Sequence, residues 1–335
     1  MTYICHNGII DWHLHTHTGN ANGDKCGYVG KILLKITERQ EIVTDIDDLK
    51  IFEERLNNLQ QNVLASAQFQ QANWQVLIQL KDLILGFQTS QLQFSHPNPL
   101  NRFGNKCFSQ TDEDGITLEI IRRLAVVNGV FAEFGVGNGL ENNTLILAAL
   151  GWKGFWVGGE DLAFSYSAAK RFRYTKDWIT LENIVAHAEN GLLMLGENEL
   201  DVVSLDLDGN DIYFVEELLS KKVSPKLFIV EYNAKFIPPS KFHIKYNAQH
   251  QWVGDDYFGA ALVNFTELFE GYGYCLICCN SHTGANAFFI RKEYSHLFAD
   301  VPKNINEIYV GPRYYQYTNF GHPISSKVVE TIINQ

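Results

Sequence analysis

The chain has 335 residues, of which 46% are hydrophobic and 13% aromatic, so a large core is possible and wholesale disorder is excluded. The net charge is -11, and the 27 lysine and arginine residues are scattered along the sequence, which argues against a nucleic-acid partner. Residues 1–15 lack the pattern of a secretory signal, and no apolar run is long enough to span a membrane. We therefore expect a soluble, cytoplasmic protein with no membrane partner.

The beginning of the sequence changes from a strand pattern to a helix pattern. Residues 3–18 and 28–44 partly alternate β-branched and aromatic residues with polar ones and flank a turn-rich stretch, which is typical of a β-hairpin. From Leu49 to Phe87 apolar residues follow a 3-4-3-4 spacing, which predicts a helix with a heptad stripe. Either a second copy of the chain or the chain's own α/β domain would cover this stripe. We favour coverage by a second copy, which predicts a homo-oligomer.

Residues 95–105 combine prolines, asparagines and a glycine, and they end the helical pattern. Proline disfavours helical geometry in the residue before it, so this segment is the predicted domain boundary. We expect an N-terminal β-hairpin and helical region for oligomerisation at residues 1–95. An α/β domain is expected at residues 96–335.

The α/β domain begins with a predicted strand, a glycine loop and a helix. Residues 130–134 are mostly apolar, and they lead into Gly-Val-Gly-Asn-Gly and a helical pattern. Such glycines let the backbone approach a ligand closely, but their spacing is not that of a dinucleotide site. An acidic residue before the first glycine suits a cationic ligand such as S-adenosylmethionine. The predicted cofactor-binding residues here are Glu133, Gly135, Gly137, Asn138 and Gly139.

A second strand is predicted at residues 154–159, and Glu160 and Asp161 follow it. They lie about 20 residues after the glycine loop, where nucleotide-binding α/β folds place a carboxylate for the ribose hydroxyls. The spacing therefore indicates a nucleoside ligand. A short third strand is predicted at residues 176–180.

The fourth and fifth strands are predicted at residues 200–207 and 226–230, and acidic and amide side chains end or follow both. Open α/β sheets build their sites at the carboxyl ends of strands. Hard oxygen ligands of this kind suit Mg²⁺. The alternative for Asp208 and Asn210 is that they only form a turn and cap the next helix. The candidate metal ligands are Asp206, Asp208, Glu231 and Asn233.

The sequence ends with a predicted helix at residues 258–269 and two strands, 271–279 and 286–293, joined by a six-residue loop. Two strands joined in this way form a hairpin, so the last strand would be antiparallel to the rest of the sheet. A mostly parallel sheet closed by a C-terminal antiparallel hairpin is the Rossmann-like arrangement of class I methyltransferases. We therefore expect this α/β fold class.

Three histidines, His243, His250 and His282, are candidates for a general base because neutral imidazole accepts a hydroxyl proton near pH 7. His282 is preferred because its loop is expected at the same edge of the sheet as the glycine loop. For each histidine, a purely structural role is the alternative. The candidate catalytic residues are His282, His250 and Asp206.

Several stretches of the α/β domain carry a family likeness, namely FSQTDEDGITLEIIRRL, FAEFGVGNG, DVVSLDLDGND, IVEYNAKF, DDYFGAALVNFTELFEGYGY and NAFFIRK. Together they resemble the FkbM-type family of O-methyltransferases over residues 107–292. The resemblance implies S-adenosylmethionine as cofactor and methyl transfer to a hydroxyl, often of a sugar or secondary metabolite. We expect a sugar, nucleotide sugar or other small polar hydroxyl compound as the acceptor. Assistance by Mg²⁺ is expected because metal-dependent O-methyltransferases of this fold class hold the ion at the ends of strands four and five. Relatives tend to carry an acid where this chain has Gly158, so the ribose contact would shift to Glu160 or be lost.

Two other functions are compatible with the same residues. An enzyme of this fold can methylate a nitrogen or a phosphoryl-linked acceptor, and a nitrogen acceptor needs no metal. A non-catalytic binding or assembly module would not bind the cofactor.

Overall fold

The computed structural model describes residues 46–254, 256–313 and 326–334. The hairpin predicted within residues 3–44 lies outside these ranges. The chain divides into two units, residues 1–71 and 72–335. This division falls inside a helix rather than at the predicted boundary of residue 95.

Helix α1, Ile46–Ser95, is 50 residues long and confirms the helical prediction for this part of the sequence. Its final turns belong to the larger unit, where the Gln93 amide nitrogen donates hydrogen bonds to Gly104 O and Asp112 Oδ2. These bonds attach the end of α1 to the rest of the larger unit. The heptad positions are solvent-exposed at Phe52, Leu56, Leu59, Val63, Leu77, Leu80, Ile84 and Phe87. Self-association through this stripe stays a prediction.

Seven strands of the described part form one mixed sheet in the order β3-β2-β1-β4-β5-β7-β6. The first five strands are parallel, whereas β7 runs antiparallel to both β5 and β6. The expected mostly parallel sheet with a C-terminal antiparallel pair is confirmed and is compatible with a Rossmann-like fold. The strands are β1 Val130–Phe134, β2 Lys153–Gly158, β3 Phe172–Lys176, β4 Val202–Leu205, β5 Leu227–Glu231, β6 Tyr274–Cys279 and β7 Asn286–Arg291.

Apolar runs in β1 and β4 are buried along their whole length, as expected for parallel strands that are covered on both faces. The connecting segments and the C-terminal part form the other helices. These are α2 Glu113–Leu124, α3 Leu145–Ala149, α4 Ile184–Leu195, α5 Asp211–Ser220, α6 Leu262–Gly271, α7 Ile305–Ile308 and α8 Ser326–Ile333, with 3₁₀ helices at Pro99–Phe103 and Lys292–Phe298.

The predicted third strand at residues 176–180 is wrong in position, because β3 ends where that prediction begins. Pairing with β2 sets its register, and Lys176 lies opposite Gly158 at the end of both strands. The Asp177 N–H then donates to Gly158 O, and the chain leaves the sheet. The strand position therefore depends on a partner that lies about 20 residues earlier in the sequence.

A buried polar network joins the start of α2 to the loop between β6 and β7. The Asn280 amide nitrogen lies within 3.1 Å of Thr111 Oγ1, Asp112 Oδ1 and Glu113 Oε1. Asp112 also accepts hydrogen bonds from the backbone N–H groups of Ser281 and His282. Burial raises the pKa of Glu113, and repulsion from Asp112 adds to it. These bonds hold the hairpin loop against the body of the domain.

Candidate functional site

A cavity of about 370 Å³ lies at the carboxyl ends of the parallel strands. Open α/β sheets place their ligands at this edge. The cavity is lined by Gly135, Val136, Gly137, Gly158, Gly159, Glu160, Asp177, Trp178, Ile179, Asp206, Leu207, Asp208, Asn210, Phe214, Ala248, His250, Gln251 and Trp252.

The glycine loop forms one wall of the cavity, and Gly135 and Gly137 have different structural roles in it. Gly135 has a φ of +94°, and a Cβ there would lie 1.6 Å from Asp206 O, so this glycine lets the loop pack against the end of β4. At Gly137 the nearest atom to an added Cβ is Glu160 Oε2, at 3.9 Å. The open side of Gly137 therefore faces the cavity and Glu160.

Glu133 does not line the cavity. Its carboxylate accepts hydrogen bonds from the backbone N–H groups of Asn143 and Thr144, both at 3.0 Å, and from Thr144 Oγ1 at 2.5 Å. These groups lie at the start of α3. In this structure Glu133 fixes the strand–loop–helix connection beneath the glycine loop.

Three other predicted cofactor residues also lie away from the lining. Asn138 Oδ1 accepts a hydrogen bond from the Leu140 N–H, and the α-carbon of Gly139 faces Leu162 and Phe164. Asp161 is exposed and forms an ion pair with Lys176. Gly135, Gly137 and Glu160 are the predicted cofactor residues that the structure brings to the cavity.

Gly158 is required by a close backbone crossing. A Cβ at this position would lie 1.9 Å from Val136 O, so an acidic side chain cannot occupy it without moving the glycine loop. Glu160, two residues later, lines the cavity instead. Glycine at residue 158 therefore has a steric reason, and the acidic side chain that follows β2 and lines the cavity is Glu160.

Sequence reasoning missed the wall formed by Asp177, Trp178 and Ile179, which follows β3. The Trp178 indole N–H donates to Ala248 O at 3.1 Å and so ties this wall to the segment after β5. The strand predicted at residues 176–180 covered these three residues. The sequence pattern did not indicate that β3 ends at Lys176, where the chain turns toward the cavity.

Three predicted metal ligands converge beside the glycine loop. Asp206, Asp208 and Glu231 each offer a carboxylate oxygen, and these oxygens lie within 4.8 Å of one another. Burial raises the pKa of Asp206 to about 8, with repulsion from Asp211 and Asp208 adding to the effect. Burial also raises the pKa of Glu231 well above its usual value, followed by repulsion from Asp206. Within the described part of the chain, Glu231 Oε2 has no hydrogen-bond partner.

The turn after β4 is built by Asp211 rather than by Asp208. The Asp211 carboxylate accepts hydrogen bonds from the backbone N–H groups of Leu207 and Gly209 at 2.7 and 2.9 Å. Asp208, at a φ of 53°, lines the cavity. Its side chain is thereby available to a ligand.

The fourth predicted ligand, Asn233, is engaged by the backbone of the segment after β5. Its amide nitrogen donates to Asp256 O and Phe258 O, both at 3.0 Å. Its side-chain oxygen accepts from the Lys235 N–H at 3.3 Å. The structure thus places Asn233 as a support for the segment that covers the cavity.

The two histidines predicted to be catalytic are in different surroundings. His250 lines the cavity, and its Nε2 is buried without a hydrogen-bond partner among the described residues. His282 is 1% exposed, and its Nδ1 lies 2.8 Å from Thr89 Oγ1 of α1. The expectation that His282 faces the cavity is not met, because the polar network turns its loop toward α1 and α2. His250 is the histidine in position to reach a ligand.

No protein-family model matches the chain, and no curated protein sequence matches it. None of the described helices has the length and hydropathy needed to cross a bilayer. The fold and the site define the protein as an α/β protein with a Rossmann-like sheet, a glycine loop and an acidic cluster at the carboxyl edge.

Proposed function

We propose that the chain is an S-adenosylmethionine-dependent methyltransferase that acts on a hydroxyl group of a small polar molecule. The observation that carries this proposal is that the glycine loop, Glu160 and two members of the acidic cluster, Asp206 and Asp208, line one cavity. The mostly parallel sheet with its C-terminal antiparallel pair fits the same class. The FkbM-type resemblance supplies the cofactor and the reaction type.

The glycine loop side of the cavity suits the nucleoside. Gly137 leaves open space that a side chain would fill, and Glu160 stands opposite it. A carboxylate in this place accepts hydrogen bonds from ribose hydroxyls. When bound, S-adenosylmethionine supplies a methyl group on a positively charged sulfonium. The carboxylates of the lining favour such a cationic ligand by Coulomb attraction.

The acidic cluster suits a hard divalent cation. Asp206, Asp208 and Glu231 would hold Mg²⁺, since carboxylate oxygens are its preferred protein ligands. The raised pKa values of Asp206 and Glu231 and the unpartnered Glu231 Oε2 indicate that the cluster lacks a compensating charge. A bound Mg²⁺ supplies Lewis acidity toward an acceptor oxygen.

His250 is the residue we assign to proton transfer. It lines the same cavity as Asp208, and its buried Nε2 has no partner in the described structure. Neutral imidazole can take the proton of an acceptor hydroxyl as the oxygen begins to bond to carbon. The protein's further contribution is to hold the two reactants next to each other in one cavity, which lowers the entropic part of the barrier.

The test is calorimetric binding of S-adenosylmethionine or S-adenosylhomocysteine to the wild type and to Gly137→Val. The substitution should abolish binding because the new side chain enters the cavity, while the fold has room for its Cβ. Gly271→Val is the matched control, since an added Cβ there meets nothing within 4 Å and Gly271 ends α6 away from the lining. No binding by the wild type, or equal binding by a folded Gly137→Val variant, would refute the proposal.

A further inference from the structure

The cavity lining is rich in acidic side chains. Glu160, Asp177, Asp206 and Asp208 contribute four carboxyl groups, and the described lining residues include neither lysine nor arginine. A divalent cation in the acidic cluster would compensate its own ligands and leave Glu160 and Asp177 as the other acidic groups. Like charges repel more strongly in a partly enclosed cavity than in water. An anionic ligand therefore meets no positive side chain in this lining.

Two lysines of the segments that contribute to the cavity walls form ion pairs with nearby carboxylates. Lys176, at the end of β3, forms an ion pair with Asp161 at 2.8 Å. Lys235, in the segment after β5, forms an ion pair with Asp256. Each of these two lysines thus has a carboxylate partner outside the cavity lining.

Aromatic rings lead from the cavity to the surface of the segment after β5. His250 lies 6.3 Å from the ring of Tyr257, which lies 6.2 Å from Phe242. Phe242 in turn stacks on Phe236 at 4.2 Å. Tyr257 is 48% exposed, so part of its ring surface can contact a ligand. This run of rings offers stacking surface and no net charge.

Two indoles add to this surface. Trp178 and Trp252 both line the cavity, and each is about half exposed. Cavities of this kind bind a ligand mainly through apolar and aromatic contacts, with a few polar groups that orient it. A flat or puckered ring with hydroxyl groups fits this combination of stacking faces and carboxylate acceptors.

We propose that the acceptor is an uncharged ring compound bearing hydroxyl groups, and that the cavity selects against phosphorylated relatives, including nucleotide-linked sugars. The identification of this ligand as the acceptor rests on the proposed methyltransferase function. The selection itself follows from the charges and rings of the lining.

The experiment is a tryptophan-fluorescence titration of the full chain with phenyl β-glucoside and with its 6-phosphate, in S-adenosylhomocysteine and Mg²⁺. The neutral probe should bind on the order of tenfold more tightly, because like charges at a binding surface are strongly disfavoured. Tyr257→Ala should weaken binding of the neutral probe severalfold. Asp177→Asn should reduce the ratio between the dissociation constants of the phosphorylated and the neutral probe. Asp300→Asn removes the same charge outside the lining and should leave this ratio unchanged.

Equal or tighter binding of the phosphorylated probe would overturn the proposal. So would a lack of response to both probes up to their solubility limits, because the rings would then not form a ligand surface. Calorimetry with S-adenosylhomocysteine alone tests cofactor binding by itself, so it distinguishes a failure of this proposal from a failure of the proposed methyltransferase function. A protein that fails to bind the cofactor yet keeps the preference for the neutral probe would support charge selection and refute only the methyltransferase.

Discussion

Replacing Asp206 by asparagine should change how the stability of the metal-free protein depends on pH. Burial and neighbouring acids raise the pKa of Asp206 to about 8 in the folded chain, against an ordinary value of 3.8. Between these values the folded state binds one proton more than the unfolded state at this group. The free energy of unfolding should therefore fall by about 1.4 kcal/mol per pH unit from this group alone.

The sign follows from the raised pKa. The contribution of Asp206 to stability is fully present below the unfolded value and is lost as the pH rises through the folded value near 8. Asparagine does not titrate, so Asp206→Asn should make the slope between pH 5 and pH 7 shallower by about 1.4 kcal/mol per pH unit. Urea unfolding followed by tryptophan fluorescence in excess chelator measures this slope.

Asp300→Asn is the matched control. Hydrogen bonds from Arg123 lower the pKa of Asp300, so its titration lies below pH 5 in both states and the slope should not change. Added Mg²⁺ should flatten the slope of the wild type, because the cation competes with protons for the same carboxylates. Equal slopes for wild type and Asp206→Asn would show that Asp206 is ionised in the folded protein and would refute the reasoning.

Two further predictions concern the metal and the long helix. Glu231→Gln should remove most Mn²⁺ binding and turnover while S-adenosylmethionine binding is retained, and chelation of the wild type should have the same effect; full activity in excess chelator would contradict this. Leu56→Glu combined with Leu80→Glu should reduce the molar mass in light scattering, because both leucines are exposed heptad residues of α1. A wild type that is monomeric at working concentration would disprove self-association through α1.

The glycine loop and the carboxylates after β4 and β5 could be predicted from the sequence because their signals are local. A strand that leads into Gly135 and Gly137 is visible within ten residues, and the edge position of Asp206 and Glu231 follows from strand direction alone. Each of these residues depends on its own strand for its place in the site. Their grouping was therefore accessible without knowledge of distant contacts.

Other parts of the site depend on contacts that sequence patterns do not contain. Trp178 was missed because the end of β3 is set by pairing with β2. The surroundings of His282 depend on Thr89 of α1, which lies 193 residues earlier in the chain. The requirement for glycine at residue 158 comes from the Val136 carbonyl that passes above it. None of these partners could be deduced from periodicity.

The polar network between α2 and the hairpin loop has a consequence for biosynthesis. Glu113 accepts a hydrogen bond from Asn280, 167 residues further along, and another from Asn286, 173 residues further along. On a ribosome, Glu113 leaves the exit tunnel long before either asparagine has been translated. A nascent chain cannot enclose this carboxyl group with its native partners until β7 begins to emerge, so contacts of such high sequence separation delay the final closure of the domain. Chains that end before Asn280 would leave Glu113 without both of these amide donors, which makes such chains prone to retention by chaperones.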